Sequence, residues 1–171
     1  THDPLTMLPN RSLFYEHLDQ ALHRARRNKS RLAVFFLDLD GFKSVNDLLG
    51  HAQGDLLLQE VASRFNEALR SSDIVARLGG DEFAFVFENL STPGDAAIIA
   101  EKLLVSLSRK IQMAGQEMAI SGSIGISLFP EDGDEARDLL RYADAAMYRV
   151  KDQGKQHFQF FSWNGRPKEM G

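Results

Sequence analysis

Leu32-Ala33-Val34-Phe35-Phe36-Leu37, followed at once by Asp38-Leu39-Asp40, is the stretch that decides the fold. It is short, continuously apolar and bounded by charge, the pattern of a central strand buried on both faces. Asp38 stands at its C-terminal end. Upstream, Asn10 can cap a helix whose apolar stripe is Phe14, Leu18, Ala21, Leu22 and Ala25, and whose basic end at Arg24, Arg26 and Arg27 suits the helix dipole. Downstream, a short helix through Val45 and Leu48 stops at Gly50, and a longer one carries Leu57, Leu58, Val61, Phe65, Ala68 and Leu69 in register.

Further out, Ile74-Val75-Ala76-Arg77, Leu78-Gly79-Gly80-Asp81 and the alternating Phe83, Phe85 and Phe87 read as a β-hairpin turning on two glycines, with the acids in the turn. A long helix takes Ala97, Ala100, Leu104 and Leu107 after a loop at Pro93-Gly94. Gly115 marks a turn before a strand over 119–127. A last helix uses Leu139, Ala143, Ala146, Met147 and Val150 and ends by Gly154, and 157–161 can add an edge strand. Strand, two helices, hairpin, helix, strand, helix predicts an α+β fold: an α/β sandwich with a mostly antiparallel central sheet flanked by helices, near the ferredoxin-like βαββαβ plan.

At 171 residues and 43% hydrophobic content, one core is expected, in a domain over 1–161 followed by a polar tail over 162–171. The chain opens on Thr1 with no charged-then-apolar leader, which suggests a piece cut from a longer protein. A net charge of −4 supplies no basic field for a polynucleotide backbone, so no nucleic-acid partner is expected. No apolar run approaches the ~20 residues that span a bilayer, so no membrane contact by this domain is expected. The absence of cysteine excludes disulfides and thiolate metal sites and suits the cytoplasm.

Asp38, Asp81 and Glu82 would converge if the apolar strand and the hairpin are sheet neighbours. Clustered carboxylates repel one another unless a hard cation neutralises them, and oxygen-only ligands select Mg²⁺ or Mn²⁺. The bland alternative is that they solvate a strand end and a turn. By their residues alone, Asn46 reads as a helix-surface residue and Asp55 as the N-cap of a helix beginning at Leu56.

Six stretches stand in order along nearly the whole chain: Asp3-Pro4-Leu5-Thr6-Met7-Leu8-Pro9-Asn10-Arg11; Phe36-Leu37-Asp38-Leu39-Asp40-Gly41-Phe42-Lys43-Ser44-Val45-Asn46; Gly50-His51-Ala52-Gln53-Gly54-Asp55; Arg77-Leu78-Gly79-Gly80-Asp81-Glu82-Phe83; Ser123-Ile124-Gly125-Ile126-Ser127; and Ala143-Asp144-Ala145-Ala146-Met147-Tyr148. Together they resemble the motifs of GGDEF-family diguanylate cyclase domains, which implies a nucleotidyl-cyclase palm-like fold and the conversion of two GTP into cyclic di-GMP. The resemblance implies that Asp38, Asp81 and the backbone carbonyl of Leu39 bind Mg²⁺ or Mn²⁺, with Asp81 or Glu82 assisting proton transfer. Phe42, Lys43, Arg77, Gly79, Lys151 and Lys155 fall at its substrate-binding positions, and Asn46 and Asp55 at its guanine-reading pair. A carboxylate can accept from guanine's N1–H and exocyclic amine, an arrangement adenine cannot satisfy.

The sequence departs from the family's common ending, with Lys155 where Arg is usual and Gln156 where Asn is usual; lysine keeps the charge but loses the bidentate fork. Arg70-Ser71-Ser72-Asp73 matches the family's RxxD product-inhibition signature, with Lys102 as a second cation; the plain alternative is an i,i+3 ion pair. The resemblance also implies a homodimer for turnover, an upstream sensor and, from Phe158-Gln159-Phe160-Phe161-Ser162, a following EAL-type phosphodiesterase domain. The competing reading is a silent GTP- or cyclic di-GMP-binding module that controls an attached domain.

Overall fold

The computed structural model describes residues 1–154 and 157–162. Helix α1 (Arg11–Asn28) starts where the Asn10 carboxamide accepts from the Leu13 amide at 3.0 Å, and it buries the five-residue stripe expected of it. Strand β1 (Arg31–Asp40) leads into α2 (Phe42–Leu49) and α3 (His51–Ala68), two helices separated by Gly50, whose φ of 91° few other residues adopt. The hairpin β2 (Ile74–Gly79) and β3 (Glu82–Leu90) follows, then α4 (Pro93–Ser108). Pro93 is thus helical rather than in a loop: Thr92 and Asp95 form a reciprocal capping box around it. The stripe of α4 is centred on Leu103, with Leu104 only half-buried.

The small hairpin β4 (Ile111–Met113) and β5 (Gln116–Met118) stands apart from the main sheet, where the sequence shows only a turn at Gly115. Strand β6 (Ser121–Phe129), α5 (Ala136–Asp152) and β7 (Phe158–Phe160) complete the chain. The main sheet runs β2-β3-β1-β6-β7, antiparallel except where β7 joins β6 in parallel. Its first four strands have the ferredoxin-like order, with β1 in the middle. Among the described residues no helix is long and apolar enough to cross a membrane.

Period-two alternation splits the core across the sheet. Ala33, Phe35, Leu37 and Leu39 pack toward α3 and α4, whereas Leu32, Val34 and Phe36 pack toward α1 and α5. Phe65 of α3 meets Phe83 and Phe85 edge-on at 5.3 and 5.0 Å, pairs worth ~0.5–1.5 kcal/mol each beyond area burial. On the other face α5 comes close enough to β6 that a Cβ on Gly125 would stand 1.9 Å from the Ala143 carbonyl oxygen and 2.3 Å from the Met147 amide nitrogen. Only glycine permits that approach, and it brings the last turn of α5 over the end of β1.

Candidate functional site

At the end of β1, Asp38 lies opposite Glu82 of β3 on one side and Ser123 of β6 on the other. The β2–β3 turn folds over it: the Leu39 amide donates to the Asp81 carbonyl at 3.2 Å, and the Asp81 carboxyl is within hydrogen-bonding reach of the Asp38 carboxyl. Burial, and then that hydrogen bond and the charge of Asp81, push the Asp38 carboxyl up to about 7 against the pull of Lys151. From α5 the Lys151 ammonium reaches Asp38 Oδ1 at 3.2 Å, Asp40 Oδ1 at 3.3 Å and the Leu39 carbonyl oxygen at 3.4 Å. Asp40, with only 6% of its side chain exposed, also accepts from Ser121 Oγ at 2.8 Å and Ser123 Oγ at 2.7 Å.

Asp38 and Asp81 therefore meet, while Glu82 lies within the field of Asp144 as well as that of Asp81. Burial raises its pKa, followed by the charges of Asp144 on α5 and then Asp81, with Arg11 opposing. Burial raises Asp144 as well, again against Arg11. No group of three or more His, Cys, Asp or Glu side chains among the described residues forms a ready metal cage. The oxygens that do gather, Asp38 Oδ1, Asp40 Oδ1 and the Leu39 carbonyl, already hold a cation in the Lys151 ammonium, so the donor set suits a hard cation that draws its remaining ligands from phosphates and water.

Gly79 and Gly80 have φ of 147° and 50°, and a Cβ on either would meet nothing within 4 Å. Backbone conformation, not crowding, is what calls for glycine there. Arg77 is engaged inside the protein: Nη1 pairs with Asp3 Oδ1 at 2.8 Å, Nε donates to the Gly80 carbonyl at 2.9 Å, and its own amide donates to the Pro9 carbonyl. It braces the amino-terminal segment against the turn.

No side chain caps the amino terminus of α2, where Phe42 packs half-buried on the core and Lys43 is exposed. Asp55 is exposed within α3, which begins four residues earlier at His51, so the N-cap reading of Asp55 does not hold. Nor is Asn46 a plain surface residue. Its Oδ1 is buried without a hydrogen-bond partner, and a Cβ on Gly54 would stand 1.8 Å from it. Lys155 and Gln156 lie outside the described residues, as does the tail over 163–171.

At the other end of the β2–β3 hairpin, a cavity of about 350 Å³ is lined by Arg70, Asp73, Phe87, Ile99 and Lys102 among others. The Arg70 guanidinium, in a side chain that is 70% exposed, stands 3.5 Å from Asp73, whose side chain is 6% exposed and accepts from the Arg70 amide at 3.0 Å. The ion pair and the cavity coexist.

Several participants had no role assigned from sequence. Asp40 carried a legible signal, since it sits two residues beyond Asp38 on a strand and so shares its face. Asp144, Arg11, Ser121 and Gly54 depend on how α5, α1, β6 and α3 pack.

The family profile described as "Diguanylate cyclase, GGDEF domain" matches residues 1–157. The bifunctional diguanylate cyclase/cyclic di-GMP phosphodiesterase MucR of Pseudomonas aeruginosa is 51% identical over 171 residues, 99% of this chain and 25% of MucR. The cyclic di-GMP phosphodiesterase NbdA of the same organism is 42% identical over 161 residues, 94% of this chain and 20% of NbdA. The chain thus spans a quarter or less of either protein. Among solved structures, the isolated GGDEF domain of TpbB from Pseudomonas aeruginosa superposes with a TM-score of 0.92 at 44% identity, covering 96% of both chains. With the palm-like α+β fold, the glycine turn over Asp38 and a match along nearly its full length, the chain belongs to the GGDEF family of diguanylate cyclase domains.

Proposed function

We propose that this domain condenses two GTP into cyclic di-GMP and two pyrophosphates. The observation that carries the reading is the meeting of the Asp38 and Asp81 carboxyls beside the Leu39 carbonyl, where Asp38 and that carbonyl already face one cation, the Lys151 ammonium. Asp38, Asp81 and Leu39 would hold Mg²⁺ or Mn²⁺, which supplies positive charge to the attacking hydroxyl and the triphosphate.

In each of two steps the 3′-oxygen of one GTP bonds to the α-phosphorus of the other, the α–β bridging P–O bond breaks, and pyrophosphate leaves. The hydroxyl proton passes to the carboxylate of Glu82 or Asp81; the raised proton affinity of Glu82 suits it to accept. Lys151, Lys43 and Lys155 would hold phosphate oxygens, together with the uncapped amide groups at Phe42. Gly79 keeps the turn low beside the nucleotide, and Arg77 contributes by fixing that turn. Asn46 and Asp55 would read guanine.

One such site holds one GTP, so closing the ring takes two domains face to face, a homodimer in the cytoplasm, where GTP is. MucR and NbdA are far longer than this chain, which supports a setting among sensor and EAL-type domains. Arg70, Asp73 and Lys102 would bind product in their cavity and restrain turnover. A second reading is a silent regulatory module, favoured by the likeness to NbdA, which is named only as a phosphodiesterase. Incubation with GTP and Mg²⁺ and chromatographic identification of the product tests one against the other.

A further inference from the structure

Among the described residues of the proposed phosphate-binding set, Lys151 is the lysine that pairs with the carboxylates of β1. Its ammonium has three donors, and the three oxygens within 3.2–3.4 Å are Asp38 Oδ1, Asp40 Oδ1 and the Leu39 carbonyl. Two of these are atoms the proposed function gives to the metal. Mg²⁺ binds oxygen at about 2.0–2.1 Å, so an ion on Asp38 Oδ1 and the Leu39 carbonyl would stand within a few ångströms of the ammonium nitrogen. Charges of the same sign that close, in a half-buried site, repel strongly. The two cations compete for the same oxygens.

We propose that Lys151 occupies the metal's seat in the unliganded domain and yields it only when nucleotide phosphates offer the ammonium replacement oxygens. This rests on the assignment of Asp38 and Leu39 as metal ligands. Asp40 is the anchor of the parked state: its carboxylate is oriented by the hydroxyls of Ser121 and Ser123 and faces the ammonium. The flexible four-carbon stem of lysine lets the charge swing between two sets of oxygens while its backbone stays fixed on α5. Metal and nucleotide would then arrive together, and free metal ion alone would be held weakly.

The test is titration with Mn²⁺ in the absence of nucleotide, following the loss of the free-ion paramagnetic resonance signal, on wild type, Lys151→Met, Lys151→Gln and the double variant Lys151→Met/Asp38→Asn. Both single variants are expected to bind Mn²⁺ about tenfold more tightly than wild type, a step of the size one displaced charge produces. The double variant should lose the gain. Adding GTP should strengthen Mn²⁺ binding in wild type far more than in Lys151→Met. No gain in either folded single variant, or a gain that survives in the double variant, overturns the proposal. Because the first titration contains no nucleotide, its result stands whether or not the domain turns GTP over. Cyclic di-GMP formation by wild type without the Mn²⁺ gain would sink the lysine proposal alone.

Discussion

Gly54 shows how much one missing methyl group can decide. It lies near the start of α3, where alanine would ordinarily favour the helix by up to about 1 kcal/mol, yet a Cβ there would meet the Asn46 carboxamide oxygen at 1.8 Å. The obstructing atom is the far end of a side chain, so Asn46 swings away and the backbone keeps its course. Gly54→Ala should therefore unfold within about 1 kcal/mol of wild type while binding GTP roughly tenfold more weakly, the worth of about one hydrogen bond. Cyclic di-GMP binding at the Arg70 cavity should be unaffected. Denaturation midpoints alongside GTP titration check it, and undiminished GTP affinity would remove Asn46 from the guanine site. At this scale the sequence was legible where a side chain's chemistry spoke for itself, as with Asp38 and Asp81. It was silent where a residue matters by what it leaves empty, as with Gly54. Arg77 was legible in position only, since its partners Asp3 and Gly80 are brought to it by the fold.

Helix α5 carries Asp144 and Lys151 to the site, and its seat on β6 depends on Gly125. Here a Cβ would strike main-chain atoms of Ala143 and Met147, which cannot step aside without moving the helix. Gly125→Ala should destabilise the domain by about 1–3 kcal/mol, as overpacking of a tight interface does, and should weaken GTP binding by displacing Lys151. Chemical denaturation with GTP titration of the folded fraction measures both; a variant as stable as wild type would mean that α5 sits farther from the sheet. The elements themselves were largely written in their periodicity: the stripe of α1, the apolar run of β1 and the alternation of β3 all reappear as buried faces. The misses have local causes. The hairpin of β4 and β5 is three residues a side and mostly exposed, too short to show alternation. The start of α3 was read late because Gly50 ends one helix and begins the next, leaving no polar cap to mark the boundary.

Across the molecule, the Asp38 site and the Arg70 cavity lie at opposite ends of the β2–β3 hairpin, some six residues or about 20 Å apart along the strand. Product bound in the cavity cannot touch the same domain's catalytic carboxylates; any inhibition must act through how two domains are arranged, by favouring an unproductive pairing. Arg70→Ala should abolish product inhibition and weaken cyclic di-GMP binding measured by calorimetry. It should leave stability nearly unchanged, because the guanidinium side of the pair is exposed and Asp73 keeps its bond from the backbone amide of residue 70. Unaltered product affinity would leave only the ion pair. The claim on which everything else depends is that the paired carboxylates at the end of β1 make cyclic di-GMP. The direct measurement is the chromatographic rate of cyclic di-GMP formation from GTP and Mg²⁺ by wild type and Asp81→Asn, with unfolding midpoints taken in parallel. Wild type should give product and Asp81→Asn none, at an unfolding midpoint close to wild type, since the amide keeps the shape and loses the charge. Comparable rates from the two proteins, or no product from a well-folded wild-type homodimer, would contradict it.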